Sequence, residues 1–384
     1  MHRREQPPEA LIRERDRDGA RSLTARSTEP AVGKRGGPGS WTRAVEGAPV
    51  ALQQPQWRDA RWSFLYDKGT SYARRASNGR VAQAARRMRR GPLETPVRGP
   101  FLHAAVWTWE VPLYFWFGGI ATGSSFVALA ADIVGDHASA RIARRVTLGA
   151  VLPAAPLLVM DLGRPERFLH MMRIFKVRSP MSMGAWCLSA FSGAAGGAAT
   201  ADLLGWRRTA RAAGAATTFL GLYLGSYTGV LLAATAVPVW IRSRLFLPPI
   251  FVCTATATGA AANRLALAAT GVPPGHPTRQ ALGALETAAI ATELVVSAVN
   301  KRRLGSLASA LDDGRAGKLF HAAEVALTSG LALRAARRRT GPWGHHLASV
   351  LYLAGGAAYR FAWVAAGRSS ADDDEAVART AREA

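Results

Sequence analysis

Eight long apolar runs are the feature that most constrains what this chain of 384 residues can fold into. A helix needs about 20 apolar residues to cross the hydrocarbon core of a bilayer. The connections between the runs are short, so consecutive helices are expected to be antiparallel neighbours. The sequence therefore predicts an all-α integral membrane protein, a bundle of about eight transmembrane helices. The predicted helices cover residues 111–134, 146–160, 181–204, 214–240, 245–270, 281–299, 319–333 and 347–366.

The first hundred residues have a different composition from the rest of the chain. Residues 1–100 are polar, rich in arginine, glycine and proline, and without helical periodicity. Such a segment buries too little apolar surface to fold alone, which predicts a basic, mostly disordered N-terminal extension. The helical bundle is expected over residues 101–368, with a polar C-terminal tail over residues 369–384.

The formal net charge of +23 raises the possibility of a nucleic-acid-binding protein. However, the arginines lie mainly in the N-terminal extension and at the ends of the apolar runs, where membrane proteins contact anionic lipid. The predicted partner is thus the lipid bilayer and not nucleic acid. The basic extension and the loop with Lys301, Arg302 and Arg303 favour a cytoplasmic N-terminus, with the chain in the plasma membrane of a bacterial cell.

The chain is not expected to hold a redox metal of its own. It has two cysteines, Cys187 and Cys253, and no C-x-x-C motif for an iron–sulfur cluster. A membrane haem needs paired axial histidines, yet all eight histidines fall in loops or at helix ends. His321 and His346 begin predicted helices on opposite faces. The prediction is therefore no haem, no iron–sulfur cluster and no metal.

Helix parity places two unusual polar segments on the same face of the bundle. The first helix starts on the face that carries both chain termini, called the N-face here, and the second helix returns to it. The stretch before the first helix, residues 103–112, and the loop after the second, residues 161–168, therefore lie at one face. An unpaired carboxylate such as Asp161 is costly at a membrane helix end. Either Arg164 pairs with it in an ordinary helix-ending salt bridge, or the two belong to a site.

Four stretches resemble the membrane subunit of polysulfide reductase, the NrfD-like family, over residues 103–377. They are WTWEVPLYFWFGGIATGSSF at 107–126, DLGRPERFLHMMRIFKVRSPMSMGAW at 161–186, GSYTGVLLAATAVPVW at 225–240 and RFAWVAAGRSSADDDEAV at 360–377. The DLGRP-to-SPMS block is the specific part of this resemblance.

The resemblance implies a membrane anchor that passes electrons between a partner's clusters and the quinone pool. The implied partners are a four-cluster iron–sulfur subunit and a molybdopterin catalytic subunit, and the exchangeable substrate is menaquinone or ubiquinone. Quinone chemistry would occur only in the complex. The family's quinone pocket lies at the N-face of the first four helices. The matching candidates are His103, Trp109, Glu110, Tyr114, Asp161, Arg164 and Tyr227, with Asp161 and Tyr227 in the catalytic roles.

Quinone reduction takes two electrons and two protons, which explains why these residue types suit the site. Tyr227 can donate a hydrogen bond to a quinone carbonyl from an apolar wall, and Asp161 can exchange protons at the membrane edge. Trp107 and Trp109 can line an apolar cleft. The alternatives are a tyrosine that only packs and tryptophans that only anchor the helix at the interface.

A second constellation is expected deeper in the membrane. At a rise of 1.5 Å per residue, Glu293, Glu324 and Arg360 lie roughly 8–10 Å inside the N-face, and Glu286 lies one heptad deeper than Glu293. Intramembrane charges are functional candidates. The two hypotheses are a proton path to the quinone and a buried structural ion cluster.

Two functions of other classes remain open from the sequence. Glycine-rich stretches in the first and fourth helices permit a transporter, although the two halves of the chain do not look repeated. A structural membrane anchor without a quinone site is the other alternative.

Overall fold

The computed structural model describes residues 102, 105, 107–161 and 172–383, and the predicted N-terminal extension lies outside them. These residues belong to one unit, Gly91–Ala384, and every regular element in them is helical. In chain order the helices are α1 Glu110–Ile133, α2 His137–Asp161, α3 Pro180–Leu203, α4 Arg207–Ala233, α5 Pro238–Arg242, α6 Leu247–Ala269, α7 Pro277–Leu304, α8 Ser309–Asp312, α9 Gly314–Ala335, α10 Arg337–Ala371 and α11 Asp374–Glu383.

Eight of these helices are long, and each overlaps one predicted run. The boundaries differ most at α10, which begins ten residues before the predicted start at 347 and is interrupted by non-helical backbone at Gly341. α2 begins nine residues before the predicted start at 146, because Arg144 is buried in the helix instead of ending it. The predicted run 214–240 is two helices, α4 and α5. Pro238 separates them, since proline lacks an N–H and is favoured in the first turn of a new helix.

Within the described residues, six helices are long and apolar enough to cross a membrane. They are α1, α2, α4, α6, α7 continued through α8, and α10 from Trp343 onward. The remaining long helices pack along neighbours of this set, α3 against α4 and α9 against α10. Alanine and glycine dominate α3, while α9 carries charged residues along its length. Neither helix is therefore apolar enough to be identified as a membrane span by its own composition. The chain is a multi-pass helical membrane protein.

Short connections set the direction of each helix. Three or fewer residues join α1 to α2 and α3 to α4 on the face opposite the N-face. The N-face therefore carries the starts of α1, α3, α6 and α9 and the ends of α2, α4, α7 and α10. The polar tail predicted from residue 369 continues α10 to Ala371 and then forms α11.

Glycine contact brings α1 and α6 together. A Cβ atom on Gly259 would lie 2.4 Å from the carbonyl carbon of Gly123, and one on Gly123 would lie 2.0 Å from the carbonyl oxygen of Ala255. Small residues permit this close approach of the two backbones. The resulting van der Waals packing stabilises helix association in lipid, where the hydrophobic effect does not contribute.

A buried ion cluster joins α1, α2 and α3 near the face opposite the N-face. The guanidinium of Arg144 on α2 contacts Asp132 on α1 at 2.5 Å and Asp202 on α3 at 2.5 and 2.9 Å. The Arg144 side chain is 5% exposed. Because its donors face two carboxylates, this one arginine connects three helices and neutralises part of their charge.

We expect Gly259→Ala to destabilise the bundle by about 1–3 kcal/mol or more, because the added methyl group meets backbone atoms that cannot rotate away. Thermal unfolding in detergent measures this loss. Gly149→Ala is the matched control, since a Cβ at Gly149 meets nothing within 4 Å. Equal melting temperatures for the two variants would contradict the contact.

Candidate functional site

A narrow cleft at the N-face lies among the first four long helices. Its volume is about 40 Å³. Three of the predicted site residues, Tyr114 on α1, Asp161 on α2 and Tyr227 on α4, line it together. The complete lining is Trp107, Val111, Tyr114, Phe115, Leu158, Asp161, Met181, Ala185, Tyr227 and Leu231.

The cleft contains a buried polar group without a hydrogen-bond partner among the described residues. Tyr114 is 2% exposed, and its buried hydroxyl makes no hydrogen bond. Tyr227 is 4% exposed and stacks on Tyr223, with ring centroids 5.8 Å apart. Buried polar atoms are nearly always hydrogen-bonded, so an orphan hydroxyl that lines a cavity indicates a missing water or ligand.

One carboxyl group, that of Asp161, lines the cleft, and a second, that of Glu110, lies near it outside the lining. Asp161 is the last residue of α2 and is half-buried. Glu110 is the first residue of α1, accepts a hydrogen bond from the Thr108 hydroxyl and lies close enough to Asp161 to repel its charge. The shared face predicted from helix parity is therefore confirmed for the start of α1 and the end of α2. His103 and Arg164 lie outside the described residues.

The SPMSMG stretch has a local structural explanation. Ser179 caps α3 by accepting from the backbone N–H of Ser182, and Pro180 takes the first helical position. The Ser182 hydroxyl donates to the carbonyl of Ile174 and fixes the incoming loop. Gly184 then faces Tyr227, where a Cβ would lie 1.9 Å from the ring carbon Cζ. The motif thus sets the start of α3 and leaves room for the tyrosine.

Trp107 forms one wall of the cleft. Its ring stacks on Trp240, with centroids 5.3 Å apart, and meets the edge of Phe115. The indole N–H of Trp240 donates to the carbonyl of Trp363 at 2.9 Å. Trp109, which was expected in the same site, is instead 52% exposed and lines a separate, larger cavity.

The deeper constellation divides into two groups. Glu293 is fully buried, and neither of its oxygens makes a hydrogen bond, since the nearby Thr254 hydroxyl donates to the carbonyl of Ile250. Arg360 lies close enough to Glu293 to attract its charge without a salt bridge. The guanidinium stacks 3.6 Å above Phe251 and donates to that residue's carbonyl.

Glu286 forms the second group near the opposite face. Its carboxylate lies 3.8 Å from Arg264 on α6 and 3.6 Å from Arg334 on α9, and accepts from the Ser349 hydroxyl at 3.1 Å. The carboxylate is fully buried. Two arginines from neighbouring helices offset the desolvation of this charge.

The expectation that Glu324 joins Glu293 and Arg360 is wrong. Glu324 is exposed on α9. Glu324 and Glu293 do share one depth, ten and eleven residues from the N-face ends of α9 and α7, but this depth is about 15–17 Å and not the predicted 8–10 Å. The rotation of α9 turns Glu324 away from the bundle interior. Glu286 and Glu293 lie on the interior side of α7, as expected from their heptad spacing.

Sequence reasoning missed several residues that complete these groups. Gly184 and Met181 shape the cleft, and Arg264, Arg334 and Ser349 surround Glu286. Arg264 carried a usable signal, because an arginine inside an apolar run needs an intramembrane partner. The sequence contained no such signal for Gly184, since its contact with Tyr227 depends on how α3 and α4 pack. No cluster of three or more histidine, cysteine or acidic residues suited to a metal occurs in the described parts of the chain.

Comparison with known proteins assigns the chain to a family. The family model described as "Polysulphide reductase, NrfD" matches residues 100–368, which is more than half of the chain and includes every long helix of the bundle. A search of curated proteins found no match. The chain therefore belongs to the NrfD polysulphide reductase family, the membrane subunits of respiratory oxidoreductase complexes.

Proposed function

We propose that this subunit exchanges electrons between a partner's iron–sulfur clusters and membrane menaquinone or ubiquinone, and that the quinone head group binds at the cleft. The observation that carries the proposal is the orphan hydroxyl of Tyr114, buried beside Tyr227 and Asp161. A quinone carbonyl oxygen accepts hydrogen bonds, and the two tyrosines offer donors from otherwise apolar walls.

The chemistry divides between the partner and this chain. Reduction adds two electrons and two protons to the quinone, and the electrons come from the iron–sulfur subunit. Asp161 and Glu110 lie at the N-face, where carboxyl groups can pass protons from water to the bound head group. Quinol oxidation uses the same groups in reverse. The proposed complex includes a four-cluster iron–sulfur subunit and a molybdopterin subunit.

The cleft volume implies that binding moves a side chain. About 40 Å³ holds little more than one water molecule, so an aromatic head group needs more space. Met181 lines the cleft at the first turn of α3 and is partly exposed. Methionine is unbranched and flexible, which makes it the natural side chain to move aside.

We expect Tyr227→Phe and Tyr114→Phe each to raise the quinone KM about two- to tenfold, the loss of one hydrogen bond worth roughly 0.5–1.5 kcal/mol. Quinone reductase assays of the purified complex measure it. Tyr223→Phe is the matched control, because Tyr223 stacks on Tyr227 but does not line the cleft. Unchanged kinetics in both cleft variants would reject the proposed site.

We expect Gly184→Ala to reduce quinone turnover on the order of 10–100-fold, because its methyl group displaces Tyr227 from the position it now holds. Gly193→Ala on the same helix should have no effect, since nothing lies within 4 Å of its added Cβ. In a Tyr227→Ala background, Gly184→Ala should cost nothing further. An equal loss in that background would show general damage to α3.

The intramembrane acids support a second element of the proposal, a proton route through the other half of the bundle. Glu293 and Glu286 are one heptad apart on α7, about 10 Å along the axis. Beyond Glu293 toward the N-face, Ser297 contacts the Tyr359 hydroxyl and Asn300 donates to Ser243. Glu293 has no hydrogen-bond partner within the described residues, so no fixed contact of its carboxyl group competes with proton transfer to a neighbouring group.

We expect Glu293→Gln to lower quinone-linked turnover on the order of tenfold or more while the complex assembles normally, since proton transfer by a positioned group contributes at least that much. Glu324→Gln is the control, because Glu324 is exposed on α9. Proton uptake and turnover in proteoliposomes are the measurements. Full activity of the Glu293 variant would leave the structural ion cluster as the explanation.

The alternatives are a transporter and an anchor without a quinone site. Neither gives the Tyr114 hydroxyl a partner. Purification of the complex with bound quinone, displaced by a quinone analogue, distinguishes the proposal from a bare anchor. Co-purification with an iron–sulfur subunit distinguishes it from a transporter.

A further inference from the structure

A large cavity at the N-face is not explained by quinone exchange. This N-face basin has a volume of about 1160 Å³ and lies between the start of α1, the end of α7, the start of α9, the end of α10 and α11. Of the residues that the structure describes, Trp107 alone lines both the basin and the cleft. The basin exceeds the usual size of a small-molecule pocket, which is about 300–1,000 Å³.

The wall of the basin is apolar well below the surface. Phe361 and Val364 from α10 and Leu319 from α9 line it. Phe361 precedes the end of α10 by ten residues, which corresponds to about 15 Å along the helix axis. The occupant must therefore have an apolar body that extends into the depth of the hydrocarbon layer.

The rim of the basin is basic. Five arginines, Arg242, Arg303, Arg315, Arg368 and Arg379, line it, against the three acidic residues Asp313, Asp373 and Glu375. Arg303 and Arg368 each hold a backbone carbonyl, Arg242 at 2.8 Å and Ala105 at 3.1 Å, which fixes their direction. A guanidinium has five N–H donors, so both keep donors for a further anion.

Arg315 is the rim cation best placed to bind a ligand. It is exposed in the first turn of α9 and makes no ion pair within the described residues. Arg379 pairs only with Glu375 on the same short helix, an exposed contact worth little. The two therefore offer charge that the fold itself does not need.

We propose that the N-face basin binds an anionic phospholipid, with its phosphate at the arginine rim and its acyl chains along the apolar wall. Basic pockets between membrane helices suit such head groups. A neutral quinone head makes no use of five arginines. An acidic protein segment would satisfy the rim but leave the apolar wall 15 Å below without contact. This inference does not depend on quinone binding at the cleft.

The test uses the full complex in nanodiscs with equal amounts of phosphatidylglycerol and phosphatidylcholine, followed by native mass spectrometry of the retained lipids. We expect wild type to retain phosphatidylglycerol selectively. Arg315→Gln combined with Arg379→Gln should weaken its retention about thirtyfold, the effect of removing two arginines near an anionic lipid. Arg141→Gln combined with Arg145→Gln is the matched control, because both arginines are exposed on α2 near the opposite face.

A second variant tests the apolar wall without any change of charge. Ala365→Phe fills part of the basin next to Val364 and should also reduce lipid retention. Equal retention of the two lipids by wild type would overturn the proposal. So would equal losses in the rim and control variants, or menaquinone retained where the lipid is expected.

Discussion

The backbone's need for hydrogen bonds in hydrocarbon is the constraint on which the rest of this structure depends. No water reaches the middle of a bilayer, so each buried peptide group must be paired within its own helix. The long helices follow from this requirement, and the contacts between them follow from side-chain size. Gly123 and Gly259 let α1 and α6 touch along their backbones. Gly184 on α3 leaves room for the ring of Tyr227 on α4.

Charge in the membrane obeys a second rule, that each buried ion has a partner. Arg144 lies between Asp132 and Asp202, and Glu286 lies between Arg264 and Arg334. Each cluster joins three helices, the first α1, α2 and α3 and the second α6, α7 and α9, so each fixes the packing within its own part of the bundle. Glu293 is different, because Arg360 attracts it from beyond salt-bridge distance and stacks on Phe251 instead. Glu293 therefore lacks the close ionic contacts that Arg144 and Glu286 make within the described residues.

Features that depend on position along the chain could be predicted from the sequence. Features that depend on the rotation of a helix about its axis, or on how two helices pack, could not. Apolar run length located the eight long helices, and parity brought the start of the first helix and Asp161 to one face. The shared depth of Glu293 and Glu324 could be predicted, although α7 and α9 each extend five residues further toward the N-face than the predicted runs and place both residues deeper. Only the turn of α9 about its axis could show that Glu324 is exposed. The partners of Glu286 lie on three other helices, and the match between Gly184 and Tyr227 joins α3 to α4. Neither pairing leaves a trace in a single sequence.

Trp107 gives the cleft and the basin a common wall. Its ring is held by Trp240, which in turn fits against Gly367, where a Cβ would lie 1.9 Å from the indole. If a molecule on one side of this ring moved it, the space available on the other side would change. The two binding free energies are then linked, and linkage is reciprocal: a lipid that strengthens quinone binding is itself held more tightly when quinone is present. The composition of the surrounding membrane would thus become an allosteric effector of the redox site.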